Sequence, residues 1–128
     1  MKYELSLFLE EQGYALQDFG TNDSDSCDYP DYADALSRWV LESAGRRGIL
    51  ICGSGIGMSM AANRHRGIRA ALARFGLDAE LSRRHNNANV LCLGGRITGL
   101  ELAKECVKRF LTTPFEGGRH EKRVQKMG

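Results

Sequence analysis

Apolar and polar positions change period several times along this chain. Residues 2–12 set Tyr3, Leu5, Leu7, Phe8 and Leu9 among acids, the spacing of an amphipathic helix that Gly13 ends. Residues 14–19 read as a short strand closed by Gly20, and residues 21–28 (TNDSDSCD) are a polar run of turn formers. A helix is predicted from Pro30, favourable in a first turn, to Ser43. Residues 48–52 (GILIC) are a compact apolar run, as a strand buried on both faces requires. Beyond them the pattern predicts a helix through Asn63, a strand over 68–73 and a helix over 77–84. A strand over 89–93, a helix over 98–111 and a basic tail, 117–127, complete the chain.

Strand and helix alternate, which implies an α/β fold: a doubly wound parallel sheet between two helical layers, joined by right-handed crossovers. A length of 128 residues fits a single domain over 1–128, with 115–128 as a basic C-terminal tail. Ligands of such sheets bind outside the carboxyl ends of the strands. Three segments are expected to converge there: GSGIG (53–57), RRHNNAN (83–89) and GGRITG (94–99). The chain opens on a helix, where doubly wound domains open on a strand that supplies the sheet centre. The expectation is that this first strand is missing from the sequence and that its loss leaves an apolar slot.

Charge and cysteine content narrow the function classes. A formal net charge of +2 calls for neither nucleic acid nor an anionic membrane as partner. No apolar run approaches the roughly 20 residues that span a bilayer, and the N-terminus lacks the pattern of a signal peptide. Cys27, Cys52, Cys92 and Cys106 show no CxxC spacing, which argues against a zinc site or a disulfide framework and for reduced thiols in a cytoplasm. No metal and no cofactor are expected.

The chemistry concentrates in Cys52-Gly53-Ser54-Gly55-Ile56-Gly57. Three alternating glycines after a buried strand let backbone N–H groups turn inward on an anion or a developing oxyanion, and the following helix adds partial positive charge. Known phosphate loops fail by spacing: Met58 stands where a P-loop has lysine and where a tyrosine-phosphatase loop has arginine, and GxGxG is not the dinucleotide GxGxxG. The plainer reading is a tight strand–helix turn with an inert Cys52. Arg119 and Arg123, four apart, share a face if the tail is helical and could fork a phosphate; otherwise they are a solvated basic end. Arg96, after Gly94-Gly95, divides between phosphate ligand and surface turn. His85, between Arg83-Arg84 and Asn86-Asn87, suits a neutral imidazole that both donates and accepts, or else a loop or cap histidine. His65 reads as surface, His120 as a minor aid to phosphate binding, and Cys27, Cys92 and Cys106 as loop or core thiols. A Cys52–His85–Asn86 protease arrangement fails, because adjacent His and Asn cannot orient one another.

The runs GILICGSGIGMSMAANRHRGIRAAL, LSRRHNNANVLCLGGRITG and FEGGRHEKRV, with DYPDYA at 28–33, closely resemble the ribose-5-phosphate isomerase B family, which includes galactose-6-phosphate and allose-6-phosphate isomerases. The resemblance spans essentially the whole chain and implies a Rossmann-like fold and a ribose 5-phosphate–ribulose 5-phosphate isomerase working through an enediolate. It further implies Cys52 as the base between C2 and C1, Ser54 as the hydroxyl moving a proton between O1 and O2, and loop amides from Gly53 through Gly55 and Ile56 to Gly57 as the oxyanion hole. By the same likeness His85 opens the sugar ring, Asn86 holds hydroxyls, Arg96, Arg119 and Arg123 hold the phosphate, and Tyr29 lines the site. A homodimer or homotetramer with sites across the interface is implied. The family's opening strand ends in Ser/Cys-Asp-His-Ala-Gly, and that Asp-His pair is absent here. A non-catalytic phosphosugar-binding or partner subunit is the alternative its absence suggests, as is activity on a hexose 6-phosphate.

Overall fold

The computed structural model describes residues 1–19 and 28–128. Its elements run α1 (Lys2–Glu11), α2 (Tyr29–Glu42), β1 (Gly48–Cys52), α3 (Ile56–Ala62), β2 (Ala70–Leu72), α4 (Gly76–Asn86), β3 (Val90–Gly94), α5 (Leu100–Thr112) and α6 (Arg119–Met127). The described strands form one parallel sheet in the order β1-β3-β2, with Cys52 paired to Gly94 and Leu72 to Cys92. The predicted α/β architecture is the observed one.

The central strand explains the layering. Every residue of β3 (VLCLG) is buried, so its two faces need separate covers. One face carries Leu91 and Leu93 into a cluster with α1, α4 and α5, through Leu5, Leu9, Ala79, Val107 and Phe110. The other carries Val90 and Cys92 into a cluster with α2 and α3, through Ala33, Leu36, Val40 and Met58. Helix α5 shows how sequence produces this. Ala103, Cys106, Val107 and Phe110 fall on one stripe by helical period, and all four are fully buried. Burying a side chain the size of Phe110 contributes about 1.5–3 kcal/mol.

Helix ends are set locally. Pro30 sits in the first turn of α2, and the Asp78 carboxylate accepts the N–H groups of Arg74 (3.1 Å) and Phe75 (3.3 Å) at the start of α4. Asn87 stops α4 at φ +49°, a left-handed conformation that asparagine tolerates better than most residues. The chain therefore turns straight from α4 into β3.

Several boundaries differ from expectation. Residues 14–19 do not form a strand. The Tyr14 N–H donates to the Leu9 carbonyl (3.0 Å), Lys2 pairs with Asp18 (3.0 Å), and the segment joins no ladder. Tyr14 and Leu16 remain 39% and 43% exposed, while Phe19 packs on Trp39 with ring centroids 5.6 Å apart. Strand β2 is shorter than predicted, and α4 extends through His85 and Asn86, which are thus helical rather than in a loop. The basic tail is mostly helix α6, anchored by buried His120 and Val124. The expected polar loop and Cys27 lie largely or wholly outside the described residues. No helix among the described residues is long and apolar enough to cross a membrane.

Candidate active site

Strand β1 ends at Cys52, and the glycine loop must turn at once into α3. Gly55 makes the turn at φ +81°, where a Cβ would stand 2.6 Å from Leu72 Cδ1 and 3.0 Å from the Leu93 carbonyl carbon. The loop is stitched to the end of β3: Gly95 N–H donates to the Cys52 carbonyl (2.7 Å) and Arg96 N–H to the Gly53 carbonyl (3.0 Å). A Cβ on Gly94 would meet the Ser54 carbonyl oxygen at 2.6 Å, so glycine there is what lets the two loops close.

These loops enclose one side of a cavity of about 470 Å³, lined by Tyr29, Cys52, Gly53, Ser54, Gly57, Arg96 and Ile97. Tyr29, in the first turn of α2, lays its ring against Gly57, where a Cβ would lie 2.6 Å from the phenol oxygen. The Arg96 side chain passes over Gly53, with Cδ 3.5 Å from the position a Cβ would take. The Gly55 N–H donates to Cys52 Sγ at 3.1 Å, and the Ile56 N–H donates to Ser54 Oγ at 3.2 Å. Two of the amides expected to cradle an oxyanion are therefore already engaged, one positioning the sulfur and the other the hydroxyl.

Among the described cysteines only Cys52 reaches the cavity. Cys92 and Cys106 are fully buried, and burial pushes their thiols up to about 12 and about 11 respectively. They are core thiols, as the sequence indicated. His65 is a correction: it is not a free surface residue, since its Nε2 meets Asp34 Oδ1 at 2.8 Å and ties the turn after α3 to α2.

A second cluster gathers the remaining candidates. His85 stacks on His120 with ring centroids 4.3 Å apart and planes 16° off parallel. Glu116 approaches His120 Nε2 at 3.8 Å and Arg84 at 3.7 Å, and donor atoms of His85, Glu116 and His120 lie within 4.8 Å of one another. Asn86 follows His85, while Arg119 and Arg123 flank His120 one turn apart on α6, both exposed. The basic tail read at most as a phosphate aid thus also supplies the ring packed on His85, a relation no local pattern signals.

The two clusters do not meet within one chain. The three described strands are parallel, and α4 runs back from the carboxyl end of β2 to the amino end of β3, which begins only four positions after Asn86. His85 and Asn86 therefore sit at the amino edge of the sheet, whereas Cys52, Ser54 and Arg96 sit at its carboxyl edge. RRHNNAN does not converge with the two glycine loops as expected, because it precedes a strand rather than following one. Of the proposed site residues, Tyr29, Cys52, Gly53, Ser54, Gly57 and Arg96 line the cavity; Gly55, Ile56, His85, Asn86, Arg119 and Arg123 do not.

Burial first, then His85 and Arg119, lower the proton affinity of His120 below that of an ordinary histidine. The folded state then binds fewer protons at this ring than the unfolded chain as pH falls below about 6.5, so the contribution of His120 to stability is fully present above that value and is lost progressively beneath it. The urea midpoint is expected to drop between about pH 8 and pH 5, and to drop less in His120→Gln. An equal drop in both proteins would show that His120 carries none of the effect.

A thiol, a hydroxyl and a guanidinium opening on one cavity at the carboxyl edge of a doubly wound sheet define an α/β protein built to receive a small polar substrate. Residues 1–127 match the family described as ribose/galactose isomerase, and the chain belongs to that family. Ribose-5-phosphate isomerase B of Escherichia coli (strain K12) is 46% identical over 125 residues, covering 98% of this chain and 84% of that protein. The crystal structure of a ribose 5-phosphate isomerase from Thermotoga maritima superposes with a TM-score of 0.95 at 51% identity, covering 98% of this chain and 87% of the other. That of Mycoplasma genitalium ribose-5-phosphate isomerase B with bound ribulose 5-phosphate gives 0.94 at 41% identity, covering 98% and 84%.

Proposed function

We propose that this protein is an aldose–ketose isomerase interconverting ribose 5-phosphate and ribulose 5-phosphate. The observation that carries the reading is Cys52, which lines a cavity of about 470 Å³ while its Sγ accepts the Gly55 N–H at 3.1 Å. Family membership and the ribulose 5-phosphate bound by the Mycoplasma genitalium relative support the substrate.

The chemistry follows from the residues. The Cys52 thiolate takes the proton from C2 of the open-chain aldose, leaving an enediolate, and the resulting thiol returns that proton to C1. Ser54, oriented by the Ile56 N–H, passes a proton between O1 and O2. Backbone amides of Gly53 and Gly57 face the charge that develops on oxygen; a fixed donor of this kind contributes about 3–4 kcal/mol to lowering a barrier. Gly55 positions the sulfur. Tyr29 lines the sugar, and Arg96, Arg119 and Arg123 fork the phosphate dianion. His85 opens the ring and Asn86 holds hydroxyls.

Because His85, Asn86, Arg119 and Arg123 lie at the opposite edge of the sheet, a second copy must bring them to the cavity. In a two-fold homodimer each α4–α6 edge covers the partner's glycine loop, completing two equal sites; a homotetramer would repeat the pair. The proposed compartment is the cytoplasm, where the thiol stays reduced.

The test is isomerisation itself. Ribose 5-phosphate is expected to yield ribulose 5-phosphate with exchange of the C2 hydrogen, faster than erythrose 4-phosphate, galactose 6-phosphate or allose 6-phosphate. Saturable binding of the sugar without turnover would instead favour a non-catalytic binding subunit.

A further inference from the structure

We propose that the amino edge of the sheet carries a second anion site, for a small phosphate monoester, formed by Arg47, Arg69 and Arg83. The three guanidinium-bearing residues line a cavity of about 370 Å³, with Asn87 and Asn89 beside them. It lies where β1, β2 and β3 begin, so it is separate from the cavity at Cys52.

The case rests on how these cations are partnered. Arg83 is only 4% exposed, and its side chain donates to the Thr113 carbonyl (3.1 Å), the Asn87 side-chain oxygen (2.7 Å) and the Ala88 carbonyl (2.7 Å). Arg69 donates to the carbonyls of Asn87 (2.9 Å) and Gly67 (3.4 Å), and Arg47 to that of Phe110 (3.1 Å). Every one of these acceptors is neutral. Among the described residues no carboxylate lies within ion-pair distance of any of the three, and the pull of Glu121 on Arg69 is felt only at longer range. Arg46, at the same cavity, is the exception, paired with Glu42 at 3.2 Å.

Gathering three cations in a half-buried space without a counter-charge is costly unless an anion completes it. The strain registers on Arg83, whose affinity for its proton is pulled down to about 10, by burial first and then by Arg47 and Arg69. The carbonyl bonds fix each guanidinium plane without consuming its charge, which pre-organises the forks for a tetrahedral dianion. The volume suits a metabolite-sized ligand.

The single tryptophan gives a reporter. Trp39 stacks on Arg46, its ring centroid 4.3 Å from the guanidinium carbon, and Arg46 in turn lines this cavity. Titrating the intact protein with inorganic phosphate at constant ionic strength is expected to change Trp39 emission saturably, with glycerol phosphate acting likewise. In Arg47→Gln or Arg69→Gln the apparent Kd is expected to rise about tenfold, the effect of losing a charge-assisted contact. An Arg119→Ala/Arg123→Ala double variant is expected to keep the full response. The proposal is overturned if emission does not saturate, if chloride reproduces the change at equal ionic strength, if both glutamine variants bind as wild type, or if the double variant loses the signal. Should the glutamine variants fail to fold, Arg47→Lys and Arg69→Lys carry the same test, because lysine keeps the charge and loses the fork; unchanged affinity in both would overturn the site. None of these outcomes depends on whether the protein isomerises ribose 5-phosphate.

Discussion

Replacing Cys52 with alanine is expected to lower ribose 5-phosphate turnover by about a thousandfold or more while the protein remains folded. The side chain is half-buried at the end of β1, at the margin of the core rather than inside it, so its loss opens little core volume, and the Cys52 carbonyl still accepts the Gly95 N–H at 2.7 Å. What disappears is the group that moves the proton. No other described thiol can replace it, since Cys92 and Cys106 are sealed among apolar side chains and hold their protons more tightly than a free thiol. Serine at position 52 would keep the Gly55 N–H contact but supply a far weaker base, so Cys52→Ser is expected to fall nearly as far. Hydrogen exchange at C2 of the sugar should be lost in step with turnover. Wild-type rates in either variant would remove Cys52 as the base and leave the glycine loop a structural turn.

The second large effect is a gain rather than a loss. Cys52→Ala and His85→Ala proteins are each expected to be inactive. When the two are unfolded together and refolded as a mixture, about a quarter of wild-type activity should return. Random pairing makes half of the dimers mixed, and each mixed dimer has one site with both an intact thiol and an intact imidazole. The expectation follows from the polarity of the sheet: Cys52 closes β1 at one edge, and the last turn of α4 delivers His85 to the other. A site completed inside one chain would regain nothing on mixing, and that result would remove the shared-site arrangement while leaving the role of Cys52 intact. Copies that associate only weakly would show the effect growing with protein concentration, because subunit exchange and site assembly are then the same equilibrium.

Some of these elements were plain in the residues and others were not. Helix α5 was legible because four buried positions recur at helical spacing, and β3 because an unbroken apolar run tolerates no wet face. The glycine loop was legible for a similar reason: three alternating glycines after a strand have few other uses, and here Gly55 and Gly94 occupy positions where a Cβ would strike neighbouring backbone or side chain. Residues 14–19 misled because a short run of aromatic and apolar residues becomes a strand only where a ladder partner exists, and this segment joins none: Tyr14 and Leu16 stay exposed while Phe19 packs on Trp39. His65 misled as well, since two flanking arginines suggested solvent while the partner that holds it, Asp34, lies 31 residues away.

What this sequence determined unaided was therefore its periodicity, its turns and the chemical kind of its site: a parallel α/β sheet, a cysteine ahead of a glycine loop, and arginines for an anion. Tertiary structure alone decided which groups share a space. It sent RRHNNAN to the far edge from Cys52, stacked His85 on His120 from α6, and drew Arg47, Arg69 and Arg83 from three separate segments into one cavity. The reason is physical. Propensity, capping and alternation act over a few bonds and leave their mark on neighbouring residues, whereas proximity between segments depends on strand order and on the direction in which each helix returns across the sheet, and neither is written at any single position.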